Sequence, residues 1–447
     1  MGNGLDTIFK AYDVRGVYPD EIDEDLARRI GNAFAVFTGA ERLVVAYDMR
    51  PSSVPLSAAF IEGATLAGVS VVDAGLASTD LIYFAAGRLD APGAMFTASH
   101  NPARYNGIKL CKAGAAPVGQ DTGLAQIKAA VAEGRLERAV TPGTVTRQDL
   151  VDEFAAHVRG FVDVDTLAPM TVVADTANGM GGLIVPRVFA GLPFDLTILF
   201  GELDGTFPNH PADPIQPENL RDLQAAIKEK SADIGLAFDG DADRVFLVDD
   251  QAQPLSGSLT TSIVAQGILA AHPGETVVYN LICSRAVPDI IRETGGIPIR
   301  TRVGHSFIKG VMAETGAIFG GEHSGHYYFR DNYRADSGII AALVVLAQLS
   351  KAGVPLSELR KPFERYAASG EINTAVADQK AAMEAVAAAY PDAPKDELDG
   401  LSIDAGDFWF NVRPSNTEPL LRLNLEAPDT ETCARATDEV LALIRGE

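Results

Sequence analysis

The chain is short of the residues that would make it a disulfide scaffold, a membrane protein or a nucleic-acid binder. Its three cysteines, Cys111, Cys283 and Cys433, are odd in number and widely scattered. They show no paired spacing for a disulfide framework or a zinc site and read as buried or incidental thiols. The longest apolar run, 338–349, falls well short of the roughly 20 residues that cross a bilayer, and a buried helix explains it better. The first residues, Met1 to Asp6, lack the basic start and apolar stretch of a secretory signal, so a cytoplasmic location is expected. Positive charge is scarce: 37 Lys and Arg stand against 60 Asp and Glu, a formal net charge of -23. That balance argues against nucleic acid or an anionic membrane as partner, since both need positive stripes to displace counterions. Any anion bound here must meet local positive charge.

What is present is a repeat. At 447 residues the chain is too long for one ordinary core, because domains commonly run about 100–200 residues. Three apolar, β-branched runs end in polar residues, Leu43 to Asp48, Thr171 to Asp175 and Thr276 to Asn280. Behind each comes a helix-then-strand rhythm, at 64–73, 184–199 and 290–300, as in a βαβ unit. Breaks at Thr141-Pro142-Gly143, at 249–254 and near Lys361-Pro362 divide the chain. The expected segments are 1–146, 147–250, 251–364 and 365–447. The last changes character, with an alanine-rich helix around 379–389 and strands near 408–412 and 420–426. In the second of these strands Leu421, Leu423 and Leu425 alternate with Arg422, Asn424 and Glu426, which predicts one packed face and one wet face. The fold class expected is α/β: three related α/β domains with mixed sheets and a smaller C-terminal α+β domain, around a central cleft.

Polar, tightly spaced segments interrupt the apolar sequence. Ser99 follows the run Ala94-Met95-Phe96 and precedes His100, Asn101 and Pro102, which reads as a strand ending in a loop that exposes a hydroxyl. Such a serine alone is usually a turn former. The residues two positions away are Thr97 and Asn101, not the glycines of a hydrolase elbow, so acyl chemistry is disfavoured. Downstream, the stretch Tyr105-Asn106-Gly107-Ile108-Lys109 reads as a fixed turn with a cation, and Lys109 is either a phosphate or proton handler or a solvated lysine. In Asp239-Gly240-Asp241-Ala242-Asp243-Arg244, three aspartates alternate with two small residues, so that a tight loop turns every carboxylate to one point. A hard cation such as Mg²⁺ satisfies their repulsion. The glycine and glutamate that a calcium-binding EF-hand loop wants at its sixth and twelfth positions are replaced by Arg244 and Asp250, which rejects calcium sensing. Arg244 is placed to offset the excess negative charge.

Two more segments carry donors and acceptors. Arg413, Ser415, Asn416 and Thr417 gather a guanidinium, two hydroxyls and an amide into five positions between prolines, which suits a phosphate cradle or an ordinary Asx or Ser/Thr turn. Gly320 to His326 mixes acceptors with two imidazoles: Glu322 and Ser324 suit sugar hydroxyls and His326 suits a proton. A zinc site from His305, His323 and His326 is disfavoured, because Gly325 spoils the register and no cysteine lies close. His157, His210 and His272 read as structural or surface residues. Near the start, Tyr12, Asp13 and Arg15 precede Gly16, a pattern that fits a salt bridge or helix cap.

Over essentially its whole length, and in the same order, the chain resembles the α-D-phosphohexomutases. The serine loop, the three-aspartate loop, the Gly-Glu-x-Ser-Gly loop at 321–325 and the Arg-x-Ser-Asn-Thr loop at 413–417 all stand here. The runs 304–309 and 327–331 are similar to the phosphomannomutase/phosphoglucomutase subgroup rather than to phosphoglucosamine mutase. The resemblance implies interconversion of hexose 1-phosphate and hexose 6-phosphate, of mannose and also glucose, through phosphorylated Ser99 and a bisphosphorylated sugar. It implies Mg²⁺ held by Asp239, Asp241, Asp243 and Ser99, and glucose 1,6-bisphosphate or mannose 1,6-bisphosphate as activator. Arg15, Lys109 and His326 become acid/base candidates, with His100 and Arg244 supporting the nucleophile. Tyr12, His305, Glu322 and Ser324 are expected at the sugar, and Arg413, Ser415, Asn416 and Thr417 at the nonreacting phosphate. The partners expected are small hexose phosphates, no nucleic acid and no membrane, for a monomer or homodimer. Some relatives carry a lysine where Ile282 stands, for which Arg285 is a weak substitute. A sugar phosphatase and a noncatalytic phosphosugar-binding protein are the competing readings.

Overall fold

The three apolar runs become central strands of three mixed sheets. In the computed structural model, which describes residues 2–415 and 420–446, each is followed by a helix and a second, parallel strand. Arg42–Tyr47 pairs with Ser70–Leu76 across the helix Ser53–Leu66. Met170–Asp175 pairs with Phe194–Leu199 across Gly181–Phe189, and Thr276–Asn280 with Ile297–Thr301 across Ala286–Glu293. Val44, Val45, Val172, Val173, Val277 and Val278 are all buried, as the continuous apolar runs of strands covered on both faces require.

On the other edge of each first strand lies a third parallel strand: Gly93–Phe96, Ile234–Phe238 and Phe319–Gly321. Each of these is followed by an antiparallel return, Tyr105–Cys111, Val245–Asp249 and Tyr327–Phe329. The switch from parallel to antiparallel leaves one loop at the carboxyl end of the third strand in every sheet. Those loops are 97–104, 239–244 and 322–326, the polar segments of the sequence, and the carboxyl ends of strands are where open α/β sheets bind ligands. Three loops of different chemistry thus occupy one topological slot.

Residues 105–109, expected as a turn, open the return strand instead. Ile108 and Leu110 are buried in the core, and Asn106-Gly107 sits opposite Arg15 and Gly16 of the strand Val14–Val17. A Cβ on Gly107 would meet the Val14 carbonyl at 2.4 Å, so this glycine serves close strand packing rather than a hairpin.

The fourth sheet is antiparallel and five-stranded, backed by the helices Gln379–Ala389 and Thr430–Arg445. Leu421, Leu423 and Leu425 pack as expected, but most of the face expected to be wet is covered: Asn424 is 8% exposed and Glu426 7%, while the Arg422 side chain stays partly exposed. Glu426 accepts from the backbone N–H of Arg285 at 3.0 Å and from the Trp409 indole at 2.9 Å, at the seam with the third unit.

The first three units share one apolar core running from Val44 and Phe84 through Phe154 and Phe238 to Phe319 and Leu343. The fourth has a separate core around Phe410, Leu423 and Val440. The apolar run at 338–349 lies in the buried helix Gly338–Ala352. Among the described residues no single helix is long and apolar enough to cross a membrane.

Candidate active site

Ser99 lies three residues beyond the strand Gly93–Phe96, with its amide donating to Thr97 Oγ1 at 2.9 Å and its φ at 50°, a left-handed conformation uncommon for a side chain with a Cβ. The expectation of an exposed hydroxyl is corrected. The residue is only 6% exposed, because the aspartate loop of the second sheet closes over it. Ser99 Oγ donates to Asp239 Oδ2 at 2.7 Å and lies 3.2 Å from His100 Nδ1. Gly240 rests on the Ser99 carbonyl, where a Cβ would stand 2.4 Å from the oxygen. Only glycine allows that approach.

Asp239, Asp241 and Asp243 converge, with one oxygen of each within 4.8 Å of the others and all three residues buried. Their charges are compensated unevenly. Lys109 Nζ donates to Asp241 Oδ2 and Asp243 Oδ2 at 2.7 Å each, and Thr79 Oγ1 donates to Asp241 Oδ2 at 2.6 Å. Burial, with repulsion from Asp241 and Asp243, holds Asp239 well above the usual carboxylate range despite Arg244. Burial and then Asp241 raise Asp243 as well. At Asp241 burial acts the same way, but Lys109 overrides it and the carboxyl lies below its ordinary value. Asp241 Oδ1 and Asp243 Oδ1 are buried without a hydrogen-bond partner. A convergent, all-oxygen donor set with unfilled acceptors fits a hard divalent cation.

Around this cage the positive groups are fixed. Lys109, far from solvated, is held charged: burial lowers its pKa, but Asp241 and Asp243 raise it well above the ordinary value. Arg244 donates from Nε to Asp239 Oδ2 at 3.0 Å and from Nη2 to His100 Nδ1 at 2.6 Å. His100 is pushed down to about 3 by burial and then by Arg244, so its imidazole is neutral and Nδ1 accepts. Arg15 makes the expected salt bridge, to Asp13 at 2.6 Å, and also donates to Asn101 Oδ1 at 2.9 Å in the serine loop.

The third sheet's loop meets the second at an antiparallel bridge between Arg244 and His326. His326 Nδ1 pairs with Ser324 Oγ at 3.0 Å, and Nε2 lies 3.8 Å from Asp243 Oδ1. Buried Glu322 accepts from Tyr328 Oη at 2.8 Å and Gly304 N at 3.1 Å, tying its loop to the start of the helix His305–Thr315. The His305 ring lies 4.9 Å from that of Tyr12, which joins the first unit to the third. His323 turns to Ser258 Oγ at 2.9 Å. Neither His305 nor His323 belongs to the acidic ligand groups found among the described residues.

In the fourth unit Arg413 Nη2 donates to Glu371 Oε2 at 2.7 Å, and the Ser415 amide donates to the Leu420 carbonyl at 2.9 Å. Asn416 and Thr417 lie outside the described residues. Arg285 turns to Asp404 at 2.7 Å and stacks on Trp409, while Ile282 is buried. Sequence reasoning missed Thr79, which presents its hydroxyl to Asp241 from a helix start, and the buried ion pair Lys309–Asp336 at 2.9 Å beside the third sheet. Thr79 stands in the short run Ser78-Thr79-Asp80, which reads locally as a helix start, and Lys309 and Asp336 are 27 positions apart, so their pairing carries no signal along the chain. It also missed Arg50, in the run Asp48 to Ser53 after the first central strand, where an acid, a base and two hydroxyls do stand together.

One polar loop from each of three equivalent slots, converging on an oxygen cage, with a fourth unit alongside, is the architecture of an α-D-phosphohexomutase. Models of phosphoglucomutase/phosphomannomutase alpha/beta/alpha domains I, II and III match residues 6–138, 152–253 and 256–366, and that of the C-terminal domain matches 371–443. A protein of Xanthomonas campestris named as phosphohexose mutases is 41% identical over 98% of this chain and 99% of its own. A phosphomannomutase of Escherichia coli is 38% identical over the same shares. A solved phosphoglucomutase/phosphomannomutase family protein from Burkholderia thailandensis superposes with a TM-score of 0.89 at 32% identity, over 98% of this chain and 97% of that one. The chain belongs to the phosphoglucomutase/phosphomannomutase family and is an isomerase of the intramolecular phosphotransferase type.

Proposed function

We propose that this isomerase interconverts mannose 1-phosphate and mannose 6-phosphate, and the corresponding glucose phosphates, through a phosphoserine at Ser99. The observation that carries the reading is the 2.7 Å contact between Ser99 Oγ and Asp239 inside a cage completed by Asp241, Asp243 and Arg244. Phosphorylated Ser99 gives its phosphoryl group to the free hydroxyl of a bound hexose phosphate. The bisphosphorylated sugar turns end for end, and its other phosphate returns to Ser99. Asp239, Asp241, Asp243 and the Ser99 oxygen would hold Mg²⁺, which would supply positive charge beside the transferring phosphoryl group.

The chain's own residues do the rest. Arg244 neutralises Asp239 and fixes His100 beside the nucleophile. Lys109, held charged between two carboxylates, His326 and Arg15 form the proton-handling set around the sugar hydroxyl. Glu322, Ser324, His305 and Tyr12 position the sugar, and Arg413, Ser415, Asn416 and Thr417 grip the distal phosphate. Segments 1–146, 147–250, 251–364 and 365–447 each bring one loop. The last, with its own core, closes over the cleft to exclude water, which keeps phosphoserine from hydrolysing.

Incubation with mannose 1-phosphate, Mg²⁺ and a trace of glucose 1,6-bisphosphate is expected to yield mannose 6-phosphate. Ser99→Ala is expected to lower kcat by more than about 10³-fold, as loss of a nucleophile does. Inorganic phosphate as the main product would sink the mutase reading.

A further inference from the structure

Arg50 takes no part in the scheme above, yet its side chain is wholly buried. Burying a guanidinium is costly unless every donor is matched, and here all five N–H groups are. Nε donates to Asp48 Oδ2 at 3.1 Å. Nη1 donates to the carbonyls of Pro102 at 2.9 Å and Tyr105 at 3.0 Å. Nη2 donates to the carbonyls of Ser99 and Asn101, both at 2.7 Å. Three of the five bonds therefore end on the serine loop 97–104, and a fourth on Tyr105, the first residue of the strand that follows it.

The guanidinium is itself braced from both sides. Asp48 is fixed by the Arg50 amide at 3.0 Å and by Ser53 Oγ at 2.6 Å. From the second unit the Phe207 ring lies 5.1 Å from Arg50 Cζ. Gly205 presses on the Arg50 backbone so closely that a Cβ there would stand 2.6 Å from Cα.

We infer that Arg50 is a positioning residue for phosphoryl transfer: it gathers the carbonyls of residues 99–105 and so holds Ser99 in its left-handed conformation with Oγ on Asp239. The inference rests on the phosphoserine reading. A serine free to relax to an ordinary backbone conformation would carry Oγ away from the cage, and a displacement of about 1 Å can cost a hundredfold in rate. Lysine keeps the charge but has three donors on a point, without the planar fork that spans four carbonyls.

The test follows loading of Ser99 from glucose 1,6-bisphosphate by intact mass. In that step the Oγ–P bond forms as the P–O bond to the sugar breaks, and the hydroxyl proton ends on the departing sugar oxygen. With rates normalised to the folded fraction, Arg50→Lys is expected to load about a hundredfold more slowly. Its kcat, normalised in the same way, should fall in parallel while its KM changes little, whereas a merely structural role would lower the folded fraction and leave both normalised rates at the wild-type value. Loading of folded Arg50→Lys at the wild-type rate overturns the inference. If Arg50→Lys does not fold, Asp48→Asn, which keeps the shape and loosens the guanidinium, decides by the same criterion. A wild-type protein that never gains phosphoryl mass refutes the reading of Ser99 instead, so the two failures are distinguishable.

Discussion

At the scale of single residues, the site is set by which charge stands next to which. Arg244 bonds both Asp239 and His100, and its field, after burial, is what pushes His100 down to about 3. Arg244→Gln is therefore expected to move the His100 titration upward, toward the ordinary 6.5, as followed by NMR; an unchanged titration would mean that burial alone sets it. Gly240 offers a second test. An alanine methyl there would meet the Ser99 carbonyl at 2.4 Å, so Gly240→Ala is expected to push the serine off Asp239 and lower kcat by about 10²-fold, in a protein that still folds by circular dichroism. The aspartate cage was legible in sequence because alternation with two small residues leaves few other uses for three like charges. The burial of Ser99 was not, since what covers it is a loop about 140 positions away, a separation the Ser99–Asp239 bond itself records.

Elements join units through their ends. The helix Thr79–Arg88 carries Asp80 in its first turn, which accepts from Ser337 Oγ at 2.6 Å, and Ser337 is the residue that caps the buried helix Gly338–Ala352. Burial raises Asp80 from 3.8 to about 7 against these hydrogen bonds. Its folded pKa exceeds the unfolded one, so the folded state binds the proton more tightly. The stability it contributes is full below about 3.8 and is lost as pH rises through about 7. Asp80→Asn is expected to flatten the pH dependence of the denaturation midpoint across that window, and an unchanged slope would place the titration elsewhere. At this scale the strand–helix–strand repeat was readable from apolar periodicity. The segment 105–109 was misread because Asn-Gly signals a turn locally, while the approach of the Val14 carbonyl to Gly107 is a contact between strands distant in sequence.

For the whole molecule, the separation of the fourth unit's core from the apolar core that runs through the first three units has consequences. The fourth unit meets the third through polar contacts: Arg285 with Asp404 and over the Trp409 ring, Glu426 with the Arg285 amide, and Tyr366 Oη with Asp289 at 3.0 Å. Polar seams of this kind permit relative motion. The chain has one tryptophan, and it sits in this seam. Saturating hexose phosphate is expected to change Trp409 emission if the fourth unit closes, and emission that stays constant would argue for a fixed arrangement. Glu426→Ala leaves two donors without their acceptor, at about 1–3 kcal/mol each; it is expected to raise KM more than it lowers kcat in steady-state kinetics, because it loosens the unit proposed to grip the distal phosphate.

The sequence by itself determined the α/β class, the threefold repeat, the change of character near residue 365 and the chemical content of each polar loop. Those depend on local spacing: β-branched runs, alternating aspartates, hydroxyls between prolines. Only the tertiary structure decided that three loops share one topological slot, that Lys109 bridges Asp241 and Asp243, that Arg50 gathers the serine loop, and that Asn424 and Glu426 on the outer face of the last sheet are covered. Each of these is a contact between residues tens to hundreds of positions apart, made by sheet order and by packing between units, and no pattern along the chain encodes such a pairing.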